Sequence, residues 1–382
     1  MELDHWRPSE IDRFENVFIA KDCEDSPLSR RLQSLFPKSK IHIVESGFEE
    51  QFAREMSAEE FDLSKKQILL KQFKGQFFKR CPGSKPGLAC CNYFVLNLGQ
   101  QCDMNCSYCY LQSFLNSPFV QIYENINQAL EELRDLKKDL QNVPVRIGTG
   151  ELIDSLSMDD ITLYSRQLIP FFKETPNWQL EFKTKSCKVH QFIDLGPAPN
   201  VVVSWSINPQ SIVENEEHGT ASLKERIAAA KLCKENGFAI AFHIDPVVWH
   251  PEWKQSYKEL VSALTSTFSP DDLPYLSLGA LRFQPEQRHI MRERFGFDSH
   301  VVRAEMFSGD DGKLRYDKTL RYEMFNFIID EFKSHSPKWK IFLCMETPET
   351  WLRTYKSMPK QVSEISQLFD NRVTRSFNQS LS

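Results

Sequence analysis

Between residues 90 and 285, short runs rich in β-branched and aromatic residues alternate with stretches of helical spacing. The runs are Tyr93–Leu98, Val143–Gly148, Trp178–Thr184, Val201–Ile207, Phe238–Ile244 and Leu276–Phe283. Continuous apolar runs of this length suit strands covered on both faces. Helices are expected at 124–140, 158–173, 187–195, 219–236 and 252–268. The clearest is 219–236, where Thr220 or Ser222 can cap SLKERIAAAKLCKEN and Gly237 stands at the C′ position. Six strands alternating with helices predict an α/β fold with a parallel sheet, open or barrel-like. A closed eight-stranded barrel needs two more units, which the sequence does not clearly supply.

Three segments follow from this pattern: an N-terminal α/β domain over 1–89, the alternating region over 90–285, and a C-terminal extension over 286–382. The first holds strands at Asn16–Ala20 and Ile41–Glu45 with a helix at 27–35 between them. The last holds a helix at Thr319–Lys333, a strand at Trp339–Cys344 and a polar tail whose final ten residues are expected to fray. Against 47 basic residues stand 52 acidic ones, so any nucleic-acid contact must come from a local patch. No apolar stretch approaches the roughly 18 residues of a membrane span. The N-terminus has neither the basic nor the apolar region of a signal peptide, which makes a cytoplasmic location the default expectation.

Ten cysteines in 382 residues are too sparse for a disulfide scaffold, yet five fall between Cys90 and Cys109. Directly after the strand YFVLNLG comes CDMNCSYC, with Cys102, Cys106 and Cys109 spaced C-x3-C-x2-C. Three thiolates on one loop cannot complete a tetrahedral zinc site without a fourth ligand, for which Cys90 or Cys91 is the nearest choice. They do meet the needs of a 4Fe–4S cluster with one iron left open to a small molecule. A CSYC redox pair leaves Cys102 without a role. Cys81, Cys90 and Cys91 are candidates for a second cluster.

The triplet, with Tyr108 just before its last cysteine, resembles the signature of the radical S-adenosylmethionine superfamily. The resemblance implies a 4Fe–4S cluster whose open iron binds S-adenosylmethionine, and reductive cleavage to a 5′-deoxyadenosyl radical. It also implies an electron donor such as flavodoxin or ferredoxin. By the same resemblance, GTGE (Gly148–Glu151) would meet the methionine amino group, placing Gly148, Gly150 and Glu151 at the cofactor. Lys185 would pair with its carboxylate, and Ser206 and Asn208 with the ribose hydroxyls. All stand at the C-terminal ends of expected strands. Each also has a plainer reading as a loop cap or a surface charge.

CSYCYLQ, SINPQ, the run Glu217–Thr220 with Arg226, and Pro246–Trp253 together resemble the spore photoproduct lyase-like family of DNA repair photolyases, over about residues 14–345. This implies a partial (β/α)6 barrel with a small N-terminal α/β domain. It further implies splitting of a methylene-linked thymine dimer in DNA. The family's hydrogen-donor cysteine follows the second strand; here Glu151 aligns with that position, and a carboxylate is no useful donor because its O–H bond is too strong. Cys187, Cys344 and Tyr110 are the substitute donors weighed, with a buried structural role as the plainer reading of each cysteine.

Damaged DNA is the partner implied. Independently, Ser64–Lys85 carries Lys65, Lys66, Lys71, Lys74, Lys79, Arg80 and Lys85 without an acidic residue, interleaved with Phe73, Phe77 and Phe78. Such a segment could neutralise phosphates and stack on bases, or its phenylalanines could face the core. Arg282, Arg288, Arg292 and Arg294 form a second basic run suited to the rim of a pocket, and His243 and Asp245 either line that pocket or are satisfied rim residues. Two other functions stay open: the same radical chemistry on a nucleoside, an RNA base or a peptide, and a non-enzymatic zinc module.

Overall fold

Eight strands make the main sheet: β1 (Phe78–Arg80), β2 (Tyr93–Leu96), β3 (Val145–Gly148), β4 (Trp178–Thr184), β5 (Ala198–Ser206), β6 (Phe238–Val247), β7 (Leu276–Ala280) and β8 (Ile341–Leu343). The computed structural model describes residues 11–52, 56–84, 87–89, 91–140, 143–362 and 365–369. Spatial order follows chain order from β1 to β8. The strands from β2 onward are parallel, and β1 runs antiparallel to β2. An order in which each crossover adds the next strand on the same side winds a sheet into a barrel wall. Its edges stay unpaired with each other, but the chain between β1 and β2 reaches across the seam. Ala89 N donates to Glu346 O at 3.0 Å, and Gly83 lies against Met345. The result is the expected partial barrel, extended by β8 to seven parallel strands. Val201, Val202 and Val203 are all fully buried, the burial on both faces that their unbroken apolar run requires.

A second sheet has the order Ile41–Val44, Asn16–Ala20, Gln67–Lys71, Val120–Tyr123, Gly99–Gln100. The three segments drawn from the sequence therefore exchange strands. Residues before 90 supply β1, residues after 285 supply β8, and Val120–Tyr123 lies in the N-terminal sheet. The chain passes from β2 in one sheet to Gly99 in the other, and the cysteine loop starts at that junction.

Three expected elements differ. The helix at 187–195 is only a short turn, Ile193–Leu195, because the segment is tied down from outside. Trp205 Nε1 donates to Ser186 O at 2.9 Å, and Gln191 Nε2 donates to Asp159 Oδ2 at 2.8 Å. The helix at 158–173 breaks at Leu163, whose φ is +53°, into Asp159–Thr162 and Tyr164–Lys173. Asp159 enforces the break by accepting Ser165 N at 2.9 Å and Ser165 Oγ at 2.5 Å. The run 276–283 divides after Ala280, and Arg282–Phe283 leaves the barrel to pair with Leu314–Arg315. Ser222, not Thr220, caps the helix Leu223–Glu235, through a capping box with Glu225. The final ten residues lie outside the described ones. No described helix is long and apolar enough to cross a membrane.

Asp159→Ala strands the Ser165 and Gln191 donors in the interior. It is expected to cost about 1–3 kcal/mol, read as a lower urea midpoint at unchanged slope.

Candidate functional site

The cysteine loop is short, polar and otherwise irregular, so neighbours must hold its shape. Residues Asn105–Cys106 pair antiparallel with Glu217–His218, setting Cys106 opposite Glu217. Ser107 N donates to Glu216 O at 2.8 Å, and its hydroxyl donates to the Glu216 carboxylate. Gln287 Nε2, from the helix Gln287–Phe295, donates to Tyr108 O at 3.2 Å and Cys109 O at 3.0 Å. Arg13 pairs with Asp103 on the opposite flank. Arg294 binds Asp62, Asn105 and Gln112. Within this frame Cys106 is buried and Cys102 and Cys109 are half-buried. Burial pushes the Cys106 thiol up to about 12, so ligation must displace its proton.

Beside Cys106 lies a fully enclosed cluster centred on Glu217. The Tyr108 hydroxyl donates to Glu217 Oε1, as does Asn208 Nδ2 at 2.9 Å. Arg226 Nη2 meets Glu217 Oε2 at 2.6 Å. Burial works to raise the Glu217 carboxyl, but Arg226 and Lys185, with the bonds from Tyr108 and Asn208, hold it below the usual range. Arg226 also donates to Ser206 O at 2.8 Å and to Thr220 Oγ1 at 2.6 Å. Tyr257 donates to Asn208 Oδ1 at 3.1 Å. Lys185 Nζ stands 5.5 Å from the Tyr108 ring centre. Burial lowers the pKa of Lys185, yet Cys106 and Glu217 outweigh it and keep the ammonium charged. Lys185, Ser206, Asn208 and Tyr108 are thus gathered around the loop by Glu217 and Arg226. The sequence reading used those two only as family marks. The signal available was a Glu and an Arg nine residues apart around a capping motif, which alone names no partner.

Gly148 and Gly150 are glycines for reasons internal to the protein. A Cβ on Gly148 would fall 1.6 Å from Tyr93 Oη, and one on Gly150 would fall 2.7 Å from Lys183 O. The loop after β3 is stitched to β4 by Asp154, which takes Leu156 N, Ser157 N, Thr184 Oγ1 and Lys185 N at 2.6–2.9 Å. Asp154 was missed; an Asp followed by a Ser three residues on is too common a turn to single out. Glu151 is half-buried, and burial raises its carboxyl against the opposing pull of Lys79. Tyr110 donates to Glu151 O at 2.7 Å and is 43% exposed. Cys187 follows β4 and is half-buried. Cys344 follows β8 on the lumen side, where burial and then Asp245 push its thiol up to about 12.

The lumen itself is charged. His243 Nε2 meets Glu181 Oε1 at 2.6 Å and its Nδ1 meets Ser277 Oγ at 2.5 Å. Arg282 binds Asp245 at 3.0 and 3.2 Å. His243 and Asp245 are satisfied partners inside the barrel.

The segment 64–85 follows the plainer of its two readings, with its phenylalanines turned inward. In the segment 64–85, Phe77 and Phe78 are core residues, and Phe73 stacks on Tyr123 at 4.4 Å, so none presents a face to a base. Lys65 is buried, Lys66 pairs with Glu15 at 2.9 Å and Lys71 pairs with Glu49. Lys74 and Lys79 remain exposed, and Lys85 lies outside the described residues. In the second run, Arg282 pairs with the buried Asp245, Arg294 with Asp62 and the side-chain amides of Asn105 and Gln112, and Arg288 binds Val302 O and Ala304 O. Cys90, too, lies outside the described residues. Among the described ones no three His, Cys, Asp or Glu side chains are grouped to hold a single metal ion.

The family model described as spore photoproduct lyase matches residues 13–333. The chain belongs to the spore photoproduct lyase family. This is a family of radical S-adenosylmethionine lyases. A spore photoproduct lyase of Bacillus subtilis (strain 168) is 24% identical over 84% of this chain and 91% of its own length. One of Clostridium acetobutylicum is 23% identical over 85% and 97%. Among solved structures, a spore photoproduct lyase complexed with dinucleoside spore photoproduct matches with a TM-score of 0.75 at 21% identity, over 86% of this chain and 98% of that one. A double mutant with bound AdoMet and the same dinucleoside matches at 0.74. At these identities the likeness to the solved structures is one of fold.

Glu217→Ala leaves Arg226 buried without its counter-charge. A loss of about 3–5 kcal/mol is expected, measured by urea unfolding. Glu217→Gln combined with Arg226→Met is expected to lose less than the two single changes summed.

Proposed function

We propose that this lyase splits a methylene-linked thymine photoproduct in DNA. The carrying observation is the clamped loop: three cysteines at the C-terminal end of a barrel strand, next to Lys185 and the Glu217 cluster. Sulfur-only donors on one loop, faced by buried cations, fit a 4Fe–4S cluster held by Cys102, Cys106 and Cys109. With S-adenosylmethionine bound, that group supplies a 5′-deoxyadenosyl radical. Lys185 is charged and placed to pair with the methionine carboxylate. Ser206 and Asn208, fixed by Arg226, Glu217 and Tyr257, face the ribose. The backbone of Gly148–Gly150, packed without side chains against Tyr93 and Lys183, takes the amino group. DNA is the partner; an electron donor of the flavodoxin or ferredoxin kind reduces the cluster.

With Glu151 at the position where the family carries its donor cysteine, another residue must return a hydrogen atom to the product. Cys344 is our choice. A thiol pushed up to about 12 keeps its S–H bond at any physiological pH. It faces the lumen among Asp245 and Arg282, whereas Tyr110 is spent on Glu151 O. The Cys344 S–H hydrogen would pass to the carbon radical left on the thymine, and the resulting thiyl radical would take one methyl hydrogen of 5′-deoxyadenosine, which would regenerate the 5′-deoxyadenosyl radical. Cleavage is then redox-neutral.

Anaerobic reconstitution with iron and sulfide, followed by incubation with dinucleoside spore photoproduct in D2O, tests both parts. A brown protein that yields thymidine carrying one deuterium in the methyl group is expected. Cys106→Ala should lose the colour and all cleavage. Cys344→Ala should keep the colour and lose the methyl deuterium. A wild-type chain that cleaves S-adenosylmethionine but leaves the photoproduct intact moves the substrate to another nucleoside, RNA base or peptide. One zinc per chain without iron or sulfide ends the radical reading.

A further inference from the structure

Lys65 has left the surface that its sequence neighbours suggest. It is 6% exposed and follows the helix Ala58–Ser64 at the C-cap. Its Nζ donates to Gln101 Oε1 at 2.8 Å and to Cys102 O at 2.7 Å, and it rests 4.4 Å from the Phe61 ring centre. Gln101 is fully buried and takes a left-handed φ of +75°. Its Nε2 donates to Ser64 Oγ at 3.2 Å, and its Oε1 also accepts Cys102 N at 3.2 Å. Lys65, Ser64, Gln101 and Cys102 thus close one network beneath the loop. Both acceptors of the Lys65 ammonium are neutral carbonyls. Burial lowers the Lys65 pKa from its usual value, against the opposing pull of the Cys109, Cys102 and Cys106 sulfurs.

An interior ammonium with neutral acceptors is costly by itself. Its position makes sense once the three sulfurs carry a negatively charged group. Adding an electron makes that group more negative, so a fixed cation in a poorly polarisable setting stabilises the reduced form more than the oxidised one. We propose that Lys65 is a positioning residue that seats the Cys102 end of the loop and raises the reduction potential of the cluster it holds. This rests on the cluster assignment made under the proposed function.

The test is an EPR-monitored redox titration of reconstituted full-length protein, with no substrate present. In Lys65→Met and Lys65→Gln, the ratio of reduced to oxidised cluster at a fixed potential is expected to fall about tenfold, which is ~59 mV for a one-electron couple. Lys65→Arg keeps the charge and should stay near wild type. Lys65→Gln still donates hydrogen bonds, so a fall in it isolates charge from geometry. Neutral variants with full iron and sulfide and an unchanged ratio overturn the inference. Should the neutral variants load no cluster, full loading of Lys65→Arg supports it and equal failure of Lys65→Arg overturns it. A wild-type chain that takes up no cluster overturns the proposed function, and this inference with it.

Discussion

The buried carboxylate of Glu217 is the junction on which the site depends. It joins three parts of the chain: the cysteine loop through Tyr108, the end of β5 through Asn208, and the following helix through Arg226. Burying a carboxylate and a guanidinium costs several kcal/mol each before any gain from their attraction. Here one ion contact joins the pair, from Arg226 Nη2 to Glu217 Oε2, while Tyr108 and Asn208 donate to Oε1 and the Arg226 nitrogens also reach Ala221 O, Ser206 O and Thr220 Oγ1. Such a pair contributes more to geometry than to net stability. It fixes where Cys106 and Lys185 stand relative to the strand ends.

The same economy runs through the barrel. A lumen filled with Val and Leu would be more stable, but this one holds Glu181, His243, Arg146, Asp245 and Arg282 in mutual contact. His243 and Arg146 hold the Glu181 carboxyl well below its usual range against the effect of burial, and Arg282 does the same for Asp245. Charges arranged this way are already compensated, so they do not reorganise when something enters. Three of the cations that a surface reading assigns to DNA are spent inside: Arg282 in the lumen, Arg294 and Lys65 beneath the loop.

The regular parts of the fold were legible because they obey local rules. Trp178–Thr184, Asn16–Ala20 and the helix Pro27–Leu35 fall where period and capping place them. The elements that departed did so through partners far along the chain. Asp159 breaks a helix by capping its second half, and Trp205 and Gln191 pull 187–195 out of helical form. The cysteine triplet stood out by its spacing, and Lys185, Ser206 and Asn208 were named through the family resemblance; the structure brings all of them to one region. Glu217 and Asp154 could not be singled out, because a buried acid and an exposed one look alike in a sequence. Lys65 was misread for the same reason: a lysine in a basic run is ordinarily solvated, and only the tertiary contact with Gln101 and Cys102 O says otherwise.

Burial also bears on how a hydrogen donor can change place. A donor needs a bond to hydrogen that survives at working pH and breaks homolytically at modest cost. Thiols meet the second condition, and meet the first only where the thiolate is disfavoured. Cys344 gains that condition from burial and from Asp245, which repels a sulfur anion. Glu151 receives the same treatment: burial raises its carboxyl towards the protonated form. Its O–H bond remains too strong to give up a hydrogen atom. Burial therefore acts in the same direction at both positions, and the element bonded to hydrogen is what separates them.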